Sequence, residues 1–260
     1  MILRRITEHV KAQNWFAVGL DFIIVVFGVF IGFQVTSWNE GRETGARAKI
    51  FSSRLLDDVR YEAWAYQYSI DYYKDVRVNA ERAANALTGD KEMSDEQLLI
   101  SAYRATQWVT TAPRRASYNE LIATGEIGLI EDNFLRETAI SVFNQTTTGS
   151  VNERARDSDF RKIFRQTVPI EIQHTLLTKC GDLAVEPGDY VSIVGSINYD
   201  CVLDLPINKI EAAAALLRAQ PDFLPALQLR FADLETAIEN LEKYNADMLQ
   251  DLRDLAKVSP

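Results

Sequence analysis

One acidic side chain interrupts the most apolar segment of the chain. Asp21 lies within a run of about twenty mainly apolar residues, 16–35, followed in the same run by Val25, Gly28 and Gly32. At 100° per residue on an α-helix, each glycine lies about 20° from Asp21, one on either side. One stripe of such a helix therefore holds the carboxylate, the valine and both glycines.

This stripe predicts contact with a second helix inside a membrane. A carboxylate in an apolar helix needs a partner or a proton, and small residues let a neighbouring backbone approach closely. Alternatively, the Asp21 side chain extends to the nearby membrane interface, because the residue lies about five positions from the start of the run. The residues leave both interpretations open.

The run has the length and the flanks of a membrane span. About twenty apolar residues cross the hydrocarbon core as a helix, and Trp15 and Trp38 bracket the run at positions that suit the two interfaces. We therefore predict a transmembrane helix over 15–38. A cleaved signal peptide is the competing interpretation, with a small-residue site at 35–37, but the run is longer than a typical signal core.

The charges that flank the run predict its orientation. Arg4, Arg5 and Lys11 precede it with a single glutamate, whereas acidic and basic residues nearly balance after it. The positive-inside rule then makes residues 1–14 a cytoplasmic leader and residues 46–260 an exported domain. The leader is either a frayed basic segment or an amphipathic helix in the membrane interface.

The two cysteines of the chain, Cys180 and Cys201, both fall in the exported part. In an oxidising compartment such a pair predicts a disulfide, with two free buried thiols as the alternative. Between the cysteines, the segments 183–185 and 190–194 flank a Pro-Gly turn. We expect a small loop or hairpin closed by the disulfide.

The composition argues against several classes of function. A net charge of −9 disfavours nucleic-acid binding, and two isolated histidines give no metal-ligand set. The chain has no phosphate-loop, nucleophile-elbow, zinc-protease or dinucleotide-binding pattern. The acidic pairs at 57–58 and 131–132 are interpreted as solvated or capping residues. We therefore expect a non-enzymatic protein without a catalytic site, cofactor or metal.

Helical periodicity dominates the exported part, so the predicted fold class is mainly α. Apolar residues recur every three or four positions from Ala46 to Leu87, and Gly41 and Gly45 allow either a hinge or a continuous rod before this helix. Further helices are predicted after Ser94, up to Thr124, after Asp132, over 151–177, over 207–219 and over 222–257. The overall expectation is one transmembrane helix followed by a helical bundle.

Two features of these helices have alternative interpretations. The helix over 46–87 carries many aromatic residues between Tyr61 and Tyr73, which favour core packing over a partner surface. The last helix has a heptad with Asn245 at a core position, which fits either a dimeric coiled coil or packing inside the bundle. We favour the bundle, because the apolar stripe is wider than a two-stranded seam.

Two blocks of the sequence resemble a family of bacterial inner-membrane proteins that is catalogued only as a domain of unknown function. The first block consists of Glu8-His9, Asn14-Trp15, Asp21-Phe22, the stretch 28–32, Gln34-Val35 and 38–40, and the second is the stretch 120–130. The resemblance covers about a quarter of the chain. It implies an inner-membrane protein with one N-terminal span and a periplasmic C-terminal domain, and it implies no activity.

The leading hypothesis is an interaction, assembly or sensing module whose span contacts itself or another inner-membrane protein within the lipid bilayer. A second hypothesis is an ion-coupled subunit that uses Asp21. The layout is similar to the flagellar-stator and biopolymer-transport families, although no peptidoglycan-binding motif is present. A third is an extracytoplasmic sensor that binds a small ligand between its helices.

Overall fold

The computed structural model describes residues 15–257, so the predicted leader over 1–14 lies outside the described residues. The described part is mainly helical and contains no strand. Its ten α-helices are α1 (Trp15–Thr88), α2 (Asp95–Ala105), α3 (Ala116–Ala123), α4 (Asn133–Asn144), α5 (Thr147–Arg156), α6 (Asp159–Thr167), α7 (Ile170–Cys180), α8 (Ile207–Ala219), α9 (Phe223–Glu239) and α10 (Ala246–Lys257). A 3₁₀ turn (Ile127–Leu129) and a π segment (Asn240–Tyr244) complete the set.

Helix α1 organises the whole molecule. It runs for 74 residues, roughly 110 Å at 1.5 Å per residue, and passes through Gly41 and Gly45 without a break. Among the described residues, α1 is the one helix that is long and apolar enough to contain a candidate membrane span, which lies in its N-terminal part. Its C-terminal part, from Ala48 onwards, is the central helix of the bundle.

The C-terminal part of α1 buries the stripe that the periodicity predicted. Leu55, Val59, Ile70, Tyr73 and Val76 are fully buried in one core cluster with the other helices. Helices α2, α9 and α10 pack most extensively against α1. Because these helices surround α1, its apolar stripe becomes the centre of the core.

One buried and one half-buried arginine hold the C-terminal end of α2. Arg230 of α9 donates hydrogen bonds to the carbonyl oxygens of Ala105 and Gln107, at 3.1 and 2.9 Å, and Arg161 of α6 donates to Thr106 O at 3.0 Å. The last carbonyls of a helix lack intrahelical partners and carry partial negative charge. The guanidinium groups therefore satisfy the end of α2 and join it to α6 and α9.

The predicted helix boundaries between residues 94 and 133 are close to the observed ones. Ser94 and Gln97 form the predicted capping box at the start of α2. Helix α3 ends in a Schellman motif, in which Gly125 has φ +72° and Glu126 N–H donates to Leu121 O at 2.8 Å. Asp132 caps α4 by accepting a hydrogen bond from Leu135 N–H.

The predicted helix over 151–177 is instead three helices, α5, α6 and α7. Pro169 precedes the first residue of α7 and cannot donate a backbone hydrogen bond, so it separates α6 from α7. The charged residues of this segment do not share one environment. Arg161 is half-buried and points to the end of α2, whereas Lys162 is exposed and pairs with Asp159.

The hairpin alternative for the segment between the cysteines is wrong for the described structure, which has an irregular loop there. The Glu186–Asp189 turn is present, but its flanks form no strands: a single backbone hydrogen bond, from Leu183 N–H to Ser196 O at 2.7 Å, joins the two sides of the loop, and Val185 and Ile193 pack on α1. Trp64 Nε1–H donates to Asp189 O at 3.1 Å, and Ile193 is buried against Trp64 and Ala65. The loop therefore covers the aromatic side of α1, which agrees with the packing interpretation of those aromatic residues.

The C-terminal heptad packs inside the bundle, as the wider apolar stripe favoured. Leu227, Leu234 and Leu241 are buried within the chain's own core. Asn245 does not set a coiled-coil register. It lies just after the π segment and donates a side-chain hydrogen bond to Asn240 O at 2.7 Å, because a π segment frees carbonyl groups that need other donors.

Replacing Leu227 by Ala tests this packing. Leu227 is fully buried, so the substitution leaves a cavity, and we expect the free energy of unfolding to fall by about 2 to 5 kcal/mol. Leu229→Ala is the matched control on the same helix, because Leu229 is 57% exposed and its loss should cost less than about 1 kcal/mol. Denaturant unfolding measures both. If Leu227→Ala instead dissociated a dimer without weakening the fold, the heptad would be an intermolecular seam.

Candidate functional site

Within the described residues, no other element covers Val25, Gly28 and Gly32 of the predicted stripe. Asp21 lies within the helix, and its side chain is outside the description. Val25 is 62% exposed, and a side chain added at Gly28 or Gly32 would meet no other atom within 4 Å. Phe27, on the opposite side, is equally exposed, so burial within the chain does not distinguish the stripe.

The bundle begins a short distance beyond this exposed segment. Arg47 of α1 forms an ion pair of 2.6 Å with Glu126, which lies in the turn after α3. Arg47 follows Trp38 by nine positions, which is roughly 14 Å along the helix axis. The turn over 125–130 therefore lies at the end of the bundle that is nearest to the apolar segment.

Cys180 and Cys201 lie at disulfide distance, with their Cα atoms 5.5 Å apart. Cys180 is the last residue of α7 and is fully buried, and Cys201 lies near the end of the loop that covers α1. Arg104 lies beside this link, where its guanidinium stacks on the Tyr199 ring at 4.9 Å and donates to Tyr199 O at 2.7 Å. The two cysteines thus join the loop to the end of α7.

The acidic pairs of the sequence have structural contacts. Asp58 accepts a hydrogen bond from Ser117 N–H, at the start of α3, and Asp132 caps α4. Within residues 15–257, no group of three or more potential metal ligands comes together. These residues therefore give no arrangement for metal binding or paired-carboxylate chemistry in the described part.

A cavity of about 440 Å³ lies beside α1 where the segment 111–115 and helices α4 and α5 approach it. Glu62 and Tyr66 of α1 line one wall, and Val142, Phe143 and Asn152 line the opposite side. The Tyr66 hydroxyl donates to Leu241 O at 3.0 Å, which fixes this wall to the π segment. The cavity joins apolar surface with a few polar groups, as small-molecule sites do.

Glu62 is the unusual group in this cavity. Its carboxylate accepts a hydrogen bond of 2.6 Å from Arg114 N–H. Burial raises the pKa of the Glu62 carboxyl from its ordinary value of 4.5 to about 7, against the opposing effect of that hydrogen bond. The side chain therefore exchanges a proton near neutral pH, which suits a binding group that responds to charge or pH.

Sequence reasoning missed Glu62, because its surroundings are formed by distant parts of the chain. In the sequence it is one of several charged residues on a long amphipathic helix. It becomes half-buried only because the segment 111–115 crosses α1 at that point. The proline at position 113 indicates a break between helices, but it does not predict where the segment lies.

No protein-family model matches the chain, and no curated protein or solved structure shows significant similarity to it.

Glu62→Gln should change how stability depends on pH. Because the pKa is raised in the folded state, the protonated carboxyl favours folding below pH 4.5, and this contribution is lost as pH rises through 7. The amide cannot ionise and still accepts the Arg114 hydrogen bond. We expect the variant to exceed wild type by about 2 kcal/mol in unfolding free energy at pH 8, and to match it at pH 4.

Urea unfolding of the full chain in mild detergent at both pH values measures this difference. Glu153→Gln is the matched control, because Glu153 lies at the rim of the same cavity and is exposed. Equal midpoints for wild type and Glu62→Gln at pH 8 would show that the carboxyl is fully solvated.

Breaking the link between Cys180 and Cys201 should destabilise the bundle. The two residues are 21 positions apart. A disulfide that closes a loop of that length lowers the conformational entropy of the unfolded chain, which stabilises the folded state by about 3 kcal/mol. Unfolding with and without a reductant measures the loss, with the double variant Cys180→Ala/Cys201→Ala as a reductant-insensitive control. Alkylation of both cysteines in unreduced, unfolded protein would contradict the link.

Proposed function

We propose that the protein is a non-enzymatic, single-pass protein of the bacterial inner membrane that acts as an interaction, assembly or sensing module. Helix α1 carries this proposal. One continuous helix supplies both an exposed apolar segment and the centre of a folded bundle. We place the exposed apolar segment in a membrane and assign the interaction or sensing role to the bundle together with that segment.

The exposed apolar segment needs a nonaqueous environment. Phe22, Phe27, Phe30 and Phe33 are each at least 59% exposed, and other apolar side chains surround them on every face of the helix. Contiguous apolar surface of this extent is rare on soluble monomers. A lipid bilayer would cover all faces of the helix, whereas a single protein partner would cover one.

The exported location rests on charge and cysteine chemistry together. The basic residues before the run favour a cytoplasmic N-terminus, and a cysteine pair at disulfide distance suits an oxidising compartment such as the periplasm. The resemblance of the two sequence blocks to inner-membrane proteins supports the same location. The second of these blocks contains Glu126, which pairs with Arg47 at the end of the bundle nearest to the apolar segment.

Continuity of α1 gives the module a way to link its two parts. A rotation or shift of the apolar segment would move Glu62 and Tyr66 directly, because no break separates them from it. The cavity that these two residues line favours sensing as the specific form of the function. A ligand there would contact α1 and the helices that pack on it.

The glycines of the stripe test the interaction in the membrane. Gly28→Leu or Gly32→Leu should lower self-association of the 15–38 segment severalfold in a membrane-helix reporter assay, because the larger side chain keeps the backbones apart. Phe27→Leu, on the opposite face, should leave the signal unchanged. Equal signals from all four segments would assign any association to the bundle.

The topology is measured separately on the full chain. Alkaline phosphatase fused after the C-terminus should be active, because it folds only when exported, and a fluorescent-protein fusion that matures only in the cytoplasm should stay dark. The reverse result would overturn the proposed orientation. Release of the fused protein by osmotic shock would overturn the anchor.

A further inference from the structure

A second cavity, formed by α2, α6 and α7, is lined by basic residues, whereas the protein as a whole is acidic. It measures about 280 Å³, and its lining includes Arg161, Arg165 and His174. Among the described residues, no carboxylate lines it, although the chain carries a net charge of −9. The nearby acids have other partners: Asp159 pairs with Lys162, Glu171 pairs with Lys209, and Asp182, which is close enough to Tyr103 to raise the pKa of its hydroxyl after the larger effect of burial, accepts a hydrogen bond from the Tyr72 hydroxyl at 2.7 Å.

The cationic side of this cavity is partly fixed in place. Arg161 is half-buried, and one of its guanidinium nitrogens donates to Thr106 O, which holds the group against the end of α2. Neither Arg161 nor Arg165 takes part in a salt bridge between described residues. A guanidinium has five N–H donors, so Arg161 keeps donors for a second, anionic acceptor.

The rest of the lining is apolar. The rings of Tyr103 and Phe164 lie 6.3 Å apart at the base, and both residues are buried. Ile170 and Leu177, two turns apart on α7, are 85% and 63% exposed at the edge. These two side chains extend the apolar lining from the buried base of the cavity to its edge.

We propose that this cavity binds an anionic amphiphile, namely a carboxylate with a short alkyl or aromatic body. The carboxylate would contact Arg161 and Arg165, and the apolar body would lie over Tyr103, Phe164 and Leu177. The small volume excludes a long-chain lipid in an extended form. This inference goes beyond the proposed function, because it concerns the bundle alone and holds whether or not α1 spans a membrane.

The position of the cavity favours a free ligand over the headgroups of the anchoring bilayer. Gln107, which lines the cavity, lies two residues before Val109, whose N–H donates to the Tyr73 hydroxyl oxygen of α1 at 3.4 Å. Tyr73 follows Trp38 by 35 positions, which is roughly 50 Å along a continuous helix. A lipid that stays in the bilayer does not reach that far.

Octanoate is the probe, titrated calorimetrically into the full chain held in phosphatidylcholine nanodiscs, with empty nanodiscs subtracted. We expect saturable binding of one octanoate per chain. Octan-1-ol has the same apolar body without the charge and should bind at least about tenfold more weakly, since a charge-assisted hydrogen bond contributes about that factor. Equal affinities for octanoate and octan-1-ol, or no octanoate binding, would overturn the proposal.

Substitutions of the basic residues test whether octanoate binds in this cavity. Arg165→Gln should weaken octanoate binding about tenfold, and its exposed position predicts normal folding, whereas Arg161→Gln also removes a contact to α2. Lys162→Gln is the matched control, because this exposed cation on the same helix does not line the cavity. If Arg165→Gln and Lys162→Gln both bound octanoate like wild type, the cavity would not be the site.

A change in the lipid composition of the nanodisc distinguishes a free ligand from a lipid of the bilayer. Replacing a third of the phosphatidylcholine by phosphatidylglycerol should leave the octanoate affinity unchanged, since a headgroup in the disc cannot reach the cavity. An affinity that falls as phosphatidylglycerol increases, for wild type but not for Arg165→Gln, would overturn the assignment to a free ligand.

Discussion

The bundle depends on the burial of one face of α1 by helices that come from the whole length of the chain. Leu55, Val59 and Ile70 have no exposed surface, and α2, α9 and α10 are the helices that pack most extensively against α1. The same helix exposes apolar side chains on every face over residues 22–38. A single continuous helix thus carries both an exposed apolar segment and the centre of the core.

Hydrogen bonds to one helix end hold the surrounding helices in register. Helix α2 is short, and its last carbonyls would be unsatisfied in the interior without donors. Arg230 and Arg161 supply those donors from α9 and α6. Burial lowers the pKa of Arg230 to about 10, so the guanidinium remains a cation near neutral pH. Its positive charge is attracted to the partial negative charge at the C-terminal end of α2. The same arrangement places Arg161 at the edge of the cationic cavity.

Segments without regular structure shape both cavities and the aromatic side of α1. The segment 111–115 encloses Glu62, and the loop between the cysteines covers Trp64. The aromatic side of α1 is therefore covered within the chain and is not a free partner surface. One cavity is lined by α1 itself, and the other by α2, α6 and α7.

The sequence alone determined the elements whose signals are local. Helical periodicity predicted the buried stripe of α1, the Ser94–Gln97 box predicted the start of α2, and the run over 16–35 predicted a candidate span. Tertiary structure decided what depends on distant contacts. The flanks of the Glu186–Asp189 turn pack on α1 instead of forming a hairpin, because Trp64 offers both a donor and an apolar surface.

The charged groups show the same division. No local pattern separates Arg161, which turns to the end of α2, from Lys162, which stays in solvent, since they are neighbours on a charged helix. Glu62 is likewise an ordinary helix residue until the segment 111–115 removes water from it. Periodicity states which face of a helix is apolar, but the environment of a charge is set by the groups that the fold brings to it, and those lie tens of residues away in the sequence.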